Sequence, residues 1–564
     1  MLKSTVLKPW FKLVAIAEDE ATKEFFGIIK YRDVDGGIRW VNIPVADLEN
    51  RKALTKTLKN LGAHFSSMEA KNKRALDELL AAKRKAKRTN FAARVGWYGS
   101  GHKAYVLPNQ VIGAASSDVT IRPPQLKACE YVAGIRRRGE HAEWLRAVAF
   151  HAKFSSRMVF AISAALAAPL LGMAHLPSFG ILVHGYGKVG KSTMLVAAAS
   201  VGGYGRERDL PNFRATDSAF GEIPAAFNDS LLPLNELGLL KGSTTEKYHR
   251  LRDFTYGFAE GRGTTYSKLV PIDRGSGGSQ WLSISLATGE VTSNEIARDA
   301  RETRMAGESV RWIDLAATRN EADDIFDRIP KKVPQAKRAE WAENRCAKIR
   351  DGCRRNHGVT IQQFIEHVIR NRKTVRKMLL SLRQEFLDRV IEAEDDAVVR
   401  HLAKCFGHIY AAGIIGAGSG TLPWQAKTVR QCIERCYRDA RRELNTETDL
   451  LREGLGVLRA KTRNLPKMNG AGLKSADGFR TGGMRYRATI RAEAFKGWFP
   501  DERQPNLVLK SLRSKHALPS RPMPPTKNGP AIVWAESQPT WPDGSRPRSV
   551  VIDVQPDLFK GLKA

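Results

Sequence analysis

The chain has 564 residues, 42% of them hydrophobic and 27% charged, with 92 Lys+Arg against 59 Asp+Glu and a formal net charge of +33. Such a composition excludes a disordered or low-complexity chain, and the length leaves room for about three or four domains. The excess of positive charge excludes an acidic surface and makes a polyanion, nucleic acid by default, the expected partner.

The N-terminus, MLKSTVLKPWFKL, lacks an apolar run and a small-residue cleavage site, so no secretory signal is read there and a cytoplasmic location is expected. Residues 1–120 predict an α+β domain. Segments 12–17 and 24–31 are strand-like, the turn Val34-Asp35-Gly36-Gly37 follows, and 38–43 returns as a strand. Residues 66–88 predict a helix ending in the basic run Lys83-Arg84-Lys85-Ala86-Lys87-Arg88. That run is either a solvated helix end or a phosphate contact. Residues 97–111 predict a short strand pair around Gly99–Gly101. Residues 159–176 approach the length of a membrane span, but Pro169, Gly172 and His175 interrupt them, so a buried helix and no membrane partner are expected.

Across residues 121–325 helical patterns alternate with short apolar runs, the signature of an α/β fold with a parallel sheet. Within it, Phe179–His184 predicts a buried strand and 193–200 a helix. Between them lies Gly185-Tyr186-Gly187-Lys188-Val189-Gly190-Lys191-Ser192, which fits the G-x-x-x-x-G-K-[ST] phosphate loop. The glycines let backbone N–H groups converge on phosphate oxygens, and the helix start at Ser192 and Thr193 adds its dipole. Lys191 is placed to reach the β/γ-phosphates and Ser192 to hold Mg²⁺, so ATP and Mg²⁺ are the expected cofactors.

Hydrolysis needs a carboxylate strand as well. Residues 230–236 (SLLPLNE) form an apolar run ending in Asn235-Glu236, where the usual pattern is Asp-Glu. Glu236 is the expected water activator. Asn235 brings an amide oxygen toward Mg²⁺ without the negative charge. Residues 281–290 predict another buried strand, carrying Thr288 near its end. Arg311, in SVRWIDLA, is the candidate arginine finger, with Arg301 and Arg304 as rivals.

Residues 326–460 are helical and charged. The six cysteines (Cys129, Cys346, Cys353, Cys405, Cys432, Cys436) form no C-x-x-C pair and read as reduced core thiols. Residues 461–485, rich in Gly and Lys, predict a linker or mobile loop. In 486–564 a basic amphipathic helix at 506–516, a basic loop at 521–530 and strand-like runs at 531–534 and 548–554 follow the pattern of a winged helix.

Taken together, FGILVHGYGKVGKST (179–193), FRATDSAFGEIPAAFNDSLLPLNELG (213–238), LATGE (286–290) and AGESVRWID (306–314) resemble the family called domain of unknown function 927. So do the lead-in at 96–113 and AAGIIGAG at 411–418. The resemblance spans roughly 10–440. It implies an AAA+ ATPase core with a helical lid, similar to the minichromosome maintenance helicases, which form hexameric rings and often carry a C-terminal winged helix. By that analogy Thr288 takes the sensor-1 position, Arg311 the arginine finger and Arg400 the lid's sensor-2 position, and the family's usual Asp is replaced by Asn235. The expected function is a DNA-stimulated ATPase motor, a ring-forming homo-oligomer that translocates on or unwinds DNA for a mobile genetic element. The competing expectation is an ATP-controlled DNA-binding switch with slow hydrolysis and no unwinding. A nucleotide-dependent protein remodeller fits the charge least.

Overall fold

The computed structural model describes residues 10–19, 23–92, 94–99, 101–108, 110–113, 119–120, 134–214, 220, 223–263, 280–318, 324–444, 447–468, 476–483, 485–500, 504–515, 517–518, 536–537, 539–542, 544–555 and 558–559. The chain divides into two compact units, Met1–Ile391 with Ala397–Glu443, and Glu392–Asp396 with Leu444–Ala564.

The first unit opens with β1 (Phe11–Asp19), β2 (Phe25–Arg32), β3 (Ile38–Pro44), β4 (Lys87–Phe91), β5 (Gly96–Tyr98), β6 (Ala104–Leu107), β7 (Gln110–Gly113) and β8 (Val119–Thr120). Their order is β3-β2-β1-β4-β8 in one sheet and β5-β6-β7 in a small meander. Alternation along the strands sends Leu13, Ile29, Tyr31 and Ile43 to one face, where Leu54 and Leu76 of two helices close a core. The helix expected over 66–88 is shorter. It runs Glu69–Ala81 and tightens into a 3-10 turn, after which Lys87 and Arg88 enter β4. The basic run therefore straddles a helix end and a strand: β4 pairs in parallel with β1, a tertiary contact that local pattern does not reveal.

The centre of this unit is a parallel sheet of β9 (Phe179–His184), β10 (Leu231–Leu234), β11 (Ile284–Gly289) and β12 (Trp312–Ala316), in the order β10-β11-β9-β12. All four strands are mostly apolar and, apart from Ala316, buried throughout, as a sheet covered on both faces requires; their polar members, such as Thr288 and Asp314, are buried as well. Gly180 on β9 has no side chain because the Trp312 ring of β12 occupies that space; a Cβ there would lie 1.9 Å from the ring. Trp312 in turn meets the edge of Phe254, on the helix Thr244–Glu260. That helix is bracketed by a Ser243–Glu246 capping box and by Gly261 at φ 69°.

The apolar stretch near 159–176 is the helix Ser156–Ala167 followed by a 3-10 turn and Leu171–Ala174. Among the described residues, Ser156–Ala174 is the only segment long and apolar enough to cross a membrane, and 94% of it is buried inside the protein. The helix Ala397–Gly418 packs on it through Gly413 and Gly416, where added Cβ atoms would come within 2.6 Å of Ser163 and 2.7 Å of Leu166. A buried ion pair, Arg157–Asp439 at 2.7 Å, ties it to the helix Ala426–Leu444.

The second unit contains the helix Glu447–Arg463, β13 (Gly478–Gly482), β14 (Tyr486–Arg491), the helices Ala492–Gly497 and Gln504–Ser514, β15 (Glu536–Ser537) and β16 (Ser549–Val554). Its antiparallel sheet has the order β13-β14-β16-β15 over a core that includes Leu458, Phe495, Leu509 and Ile552. Two sequence boundaries shift as a result. The helix assigned to the end of the 326–460 region belongs here, and two parts of the 461–485 segment are regular structure: 461–463 close that helix, and Gly478–Gly482 pairs with β14, while 469–475 and 484 lie outside the described residues. Buried apolar side chains such as Phe479 hold a segment whose Gly and Lys content reads locally as a loop. The loop 521–530 and the strand-like run 531–534 lie outside the described residues.

Candidate functional site

The phosphate-loop motif sits at the C-terminal edge of β9. Gly185 and Gly190 adopt φ of 139° and 109°, conformations that a side chain disfavours, and Lys188 is also left-handed at 67°. Gly190 caps the helix Lys191–Gly202, whose first N–H groups face outward from the strand edge. Tyr186, Gly187 and Lys188 are exposed, while Val189, Gly190 and Ser192 are half-buried. Lys191 is buried, and its ammonium donates to the Gly185 and Tyr186 carbonyls at 2.5 and 2.6 Å. Burial lowers the Lys191 pKa, while the Glu290 and Glu236 carboxylates act to raise it. The Val189 carbonyl accepts from Ile325, and Ile325 also packs over Gly190. Thr193 is turned inward, its hydroxyl accepting from Arg350 at 3.1 Å.

β11 lies between β9 and β10, with Thr288 level with Val183 and Leu234 level with Ala287. This register brings Asn235, Glu236 and Thr288 to the same edge as the loop. There they form a closed network. The Thr288 hydroxyl donates to Asn235 Oδ1 at 3.0 Å and accepts from the Glu236 N–H at 3.1 Å. Asn235 Nδ2 donates to Glu207 Oε1 at 3.1 Å. Glu236 is left-handed, with φ of 58°, and its carboxylate accepts from the Gly238 N–H at 3.2 Å. Strain at a non-glycine residue of this kind is held by the surrounding hydrogen bonds.

Two acids join this group that motif reading passed over. Glu207, on a 3-10 turn, holds Asn235. Glu290, the residue after β11, faces the loop closely enough that a Cβ on Gly187 would lie 3.2 Å from its Oε1. In the sequence Glu290 stood only as the last residue of the strand-like run 281–290 and of the LATGE segment, with no role of its own. Glu207 had no sequence signal, because its segment returns to β10 from a distance.

Arg311 lies elsewhere. β12 runs parallel to β9 with Trp312 level with Gly180 and Ala316 level with His184. Arg311, just before Trp312, is thus at the far end of the sheet, about 13 Å or more from the loop edge at roughly 3.3 Å per residue. Its guanidinium stacks 4.9 Å from the Tyr256 ring centroid and donates to the Gly307 carbonyl. Arg304 is committed to a buried ion pair with Asp314 at 2.7 Å and to the Trp312 carbonyl. Arg301 is exposed, at φ of 59°. Arg400 is at the start of Ala397–Gly418, where the neighbouring His401 ring bonds the Val310 backbone; it belongs to the Arg311 end of the sheet rather than to the loop group.

Cys353, Cys405, Cys432 and Cys436 are free buried thiols, and burial raises the pKa of each; Cys346, beside the loop, is half-buried. Among the described residues no group of three or more His, Cys, Asp or Glu side chains is arranged to hold a metal ion. For Mg²⁺ on a bound triphosphate, the side-chain atoms at this edge that would fit are the Ser192 hydroxyl and the Asn235 amide oxygen, which accepts from Thr288 and keeps a second lone pair.

No curated protein matches the chain. Among solved structures, SCCmec type IV Cch, described as an active helicase, superposes with a TM-score of 0.56 over 99% of this chain and 96% of that one, at 14% identity; the likeness is one of fold. Residues 6–268, from the N-terminal sheet through the phosphate loop and the Asn235–Glu236 strand, match the family described as a domain of unknown function (DUF927), the family to which the sequence of those segments pointed.

Proposed function

We propose that this chain is a P-loop ATPase that works on nucleic acid as a helicase-like motor, with an AAA+ type core completed by a neighbouring copy. One observation carries the reading: the phosphate loop, Thr288, Asn235, Glu236 and Glu290 share one sheet edge while Arg311 stands at the other. A nucleotide held at the loop is out of reach of Arg311 of the same chain, so that arginine serves a site only across a subunit boundary, and a closed ring, hexameric in the related helicases, meets the requirement. In this reading backbone N–H groups from Gly185 to Gly190 hold the phosphates and Lys191 exchanges its two carbonyl partners for β/γ-oxygens. Ser192 would hold Mg²⁺, which when bound would supply charge neutralisation for the phosphates. Glu236, oriented by Thr288, positions the attacking water, and Glu290 adds a second carboxylate next to Lys191. The helical region after β12 acts as the lid, and the second unit as a winged-helix-like DNA-binding module. The fold likeness to a chain described as a helicase and the net charge of +33 support nucleic acid as the track.

Asn235 favours a second reading, an ATP-controlled DNA switch with slow turnover, because it adds no charge beside the metal. ATPase rate with and without single-stranded DNA, measured with particle mass in a non-hydrolysable analogue, separates the two. The motor reading expects DNA to raise the rate and forked duplex to be opened. Lys191→Ala is expected to abolish triphosphate binding, and unchanged ATP affinity in a folded Lys191→Ala protein would overturn the nucleotide assignment.

A further inference from the structure

The register of the N-terminal sheet aligns side chains that are far apart in sequence. Lys12 on β1 pairs with Lys30 on β2, and Lys30 pairs with Trp40 on β3. The three form one row across the sheet, about 10 Å long at the usual strand spacing. The next row along the same face holds Arg32 opposite Ile38, and on the other side Lys87 of β4 lies level with Ala15, Ile28 and Asn42. None of these positions carries an acid. The opposite face of the same strands is buried on helices, and part of this face is buried too, in the cluster of Ala15, Ala17, Phe26, Ile28 and Phe91, so Lys12, Lys30, Arg32, Ile38 and Trp40 occupy its open part.

Trp40 is 58% exposed and Ile38 44% exposed. Large apolar side chains clustered on a solvent face mark a binding surface more often than chance, and here basic groups surround them. The Lys30 ammonium stands 5.3 Å from the Trp40 ring centroid, which leaves much of the indole open. A flat, open ring bordered by lysines is the chemistry that grips single strands: bases stack on the ring and ammonium groups track the phosphates. A protein partner would also accept the tryptophan, but around Trp40 the paired positions are basic or apolar, and the one acid this face carries in β1, Asp19, is buried at the strand's far end, so the open part repels a basic chain's own copies and suits a polyanion.

We infer that the outer face of the β3-β2-β1-β4 sheet is a binding platform for single-stranded nucleic acid, with Trp40 as the stacking residue and Lys12, Lys30, Arg32 and Lys87 as phosphate contacts. The platform is separate from the nucleotide site and requires no ATP, so it stands or falls independently of the motor reading.

The test is fluorescence anisotropy of labelled oligo(dT) and oligo(rU), about 15 nucleotides long, titrated with the full chain in the absence of nucleotide. Trp40→Ala is expected to weaken binding about tenfold or more, the loss of a base stack, while Trp40→Phe keeps most of the affinity. The double variant Lys12→Ala/Lys30→Ala is expected to weaken binding and to reduce the salt slope by roughly 1.4, for two single-strand phosphate contacts. A preference between the two oligomers identifies the strand that the platform takes. If both variants bind both oligomers within twofold of wild type, the platform is wrong. If Trp40→Ala weakens inorganic polyphosphate as much as oligo(dT), the stacking role is wrong. If Trp40→Ala changes particle mass and leaves oligomer affinity alone, the face is a protein interface instead.

Discussion

Asn235 is held by two polar contacts that an aspartate could keep only in part. Its Oδ1 accepts from Thr288, which either residue can do, but its Nδ2 donates to Glu207, which only the amide can do. Asn235→Asp would set two carboxylates side by side. The charge gained near Mg²⁺ is thereby offset by repulsion from Glu207. The single variant is expected to change turnover little, whereas Asn235→Asp combined with Glu207→Gln is expected to raise kcat, by up to about tenfold, or ~1.4 kcal/mol of barrier. Steady-state rates at saturating ATP and Mg²⁺ decide it. A double variant no faster than a wild type that turns over at roughly 1 s⁻¹ would mean that the asparagine is a harmless replacement. Glu236→Gln is expected to retain nucleotide binding and lose hydrolysis; a rate near wild type would pass the role to Glu290, the other carboxylate that acts on Lys191.

Among the elements, β9 and β12 decide what Arg311 can do. The parallel register puts the loop at one end and the arginine at the other, and Tyr256 and Gly307 hold the guanidinium there. Arg304, the rival eight residues before β12, is bound inside by Asp314. Arg311→Ala is expected to bind ATP normally and to lose hydrolysis. Mixed with Lys191→Ala protein it is expected to recover part of the activity, because a mixed assembly contains interfaces with an intact loop and an intact arginine. Failure to recover at any mixing ratio, or a strictly monomeric particle in saturating ATP, would remove the role across subunits. Three of the strands were readable beforehand, β9, β10 and β11, as short, mostly apolar runs; β12, in SVRWIDLA, was read only for its arginine. Their order was not, because strand order depends on crossovers between distant segments.

For the whole molecule the governing quantity is charge. With +33 on the chain, nucleic-acid affinity is expected to fall steeply with salt, by about 10³–10⁵ between 50 and 200 mM if six to ten duplex phosphates are contacted. A shallow dependence would point to few ionic contacts. The second unit has its own apolar core, so removing Leu444–Ala564 is expected to weaken duplex binding more than basal ATPase. Duplex affinity equal to that of the full chain would take the DNA-binding role away from this unit.

Local sequence was sufficient wherever a feature depends on neighbours along the chain. Glycines and a lysine at fixed spacing after an apolar strand mark the phosphate-loop motif and its strand-turn-helix geometry because backbone geometry acts over a few residues, and the N-terminal hairpin was legible from alternation and its Asp-Gly-Gly turn. Only the fold brought together what distant segments supply: Glu207 against Asn235, Glu290 against Gly187, Lys12 and Lys30 in line with Trp40, and Arg311 set at the sheet end opposite the loop. The unit boundary at Leu444 and the strand inside the expected linker belong to the same class. Each is fixed by strand register or by burial against a remote element, and those energies are absent from any short window of the chain.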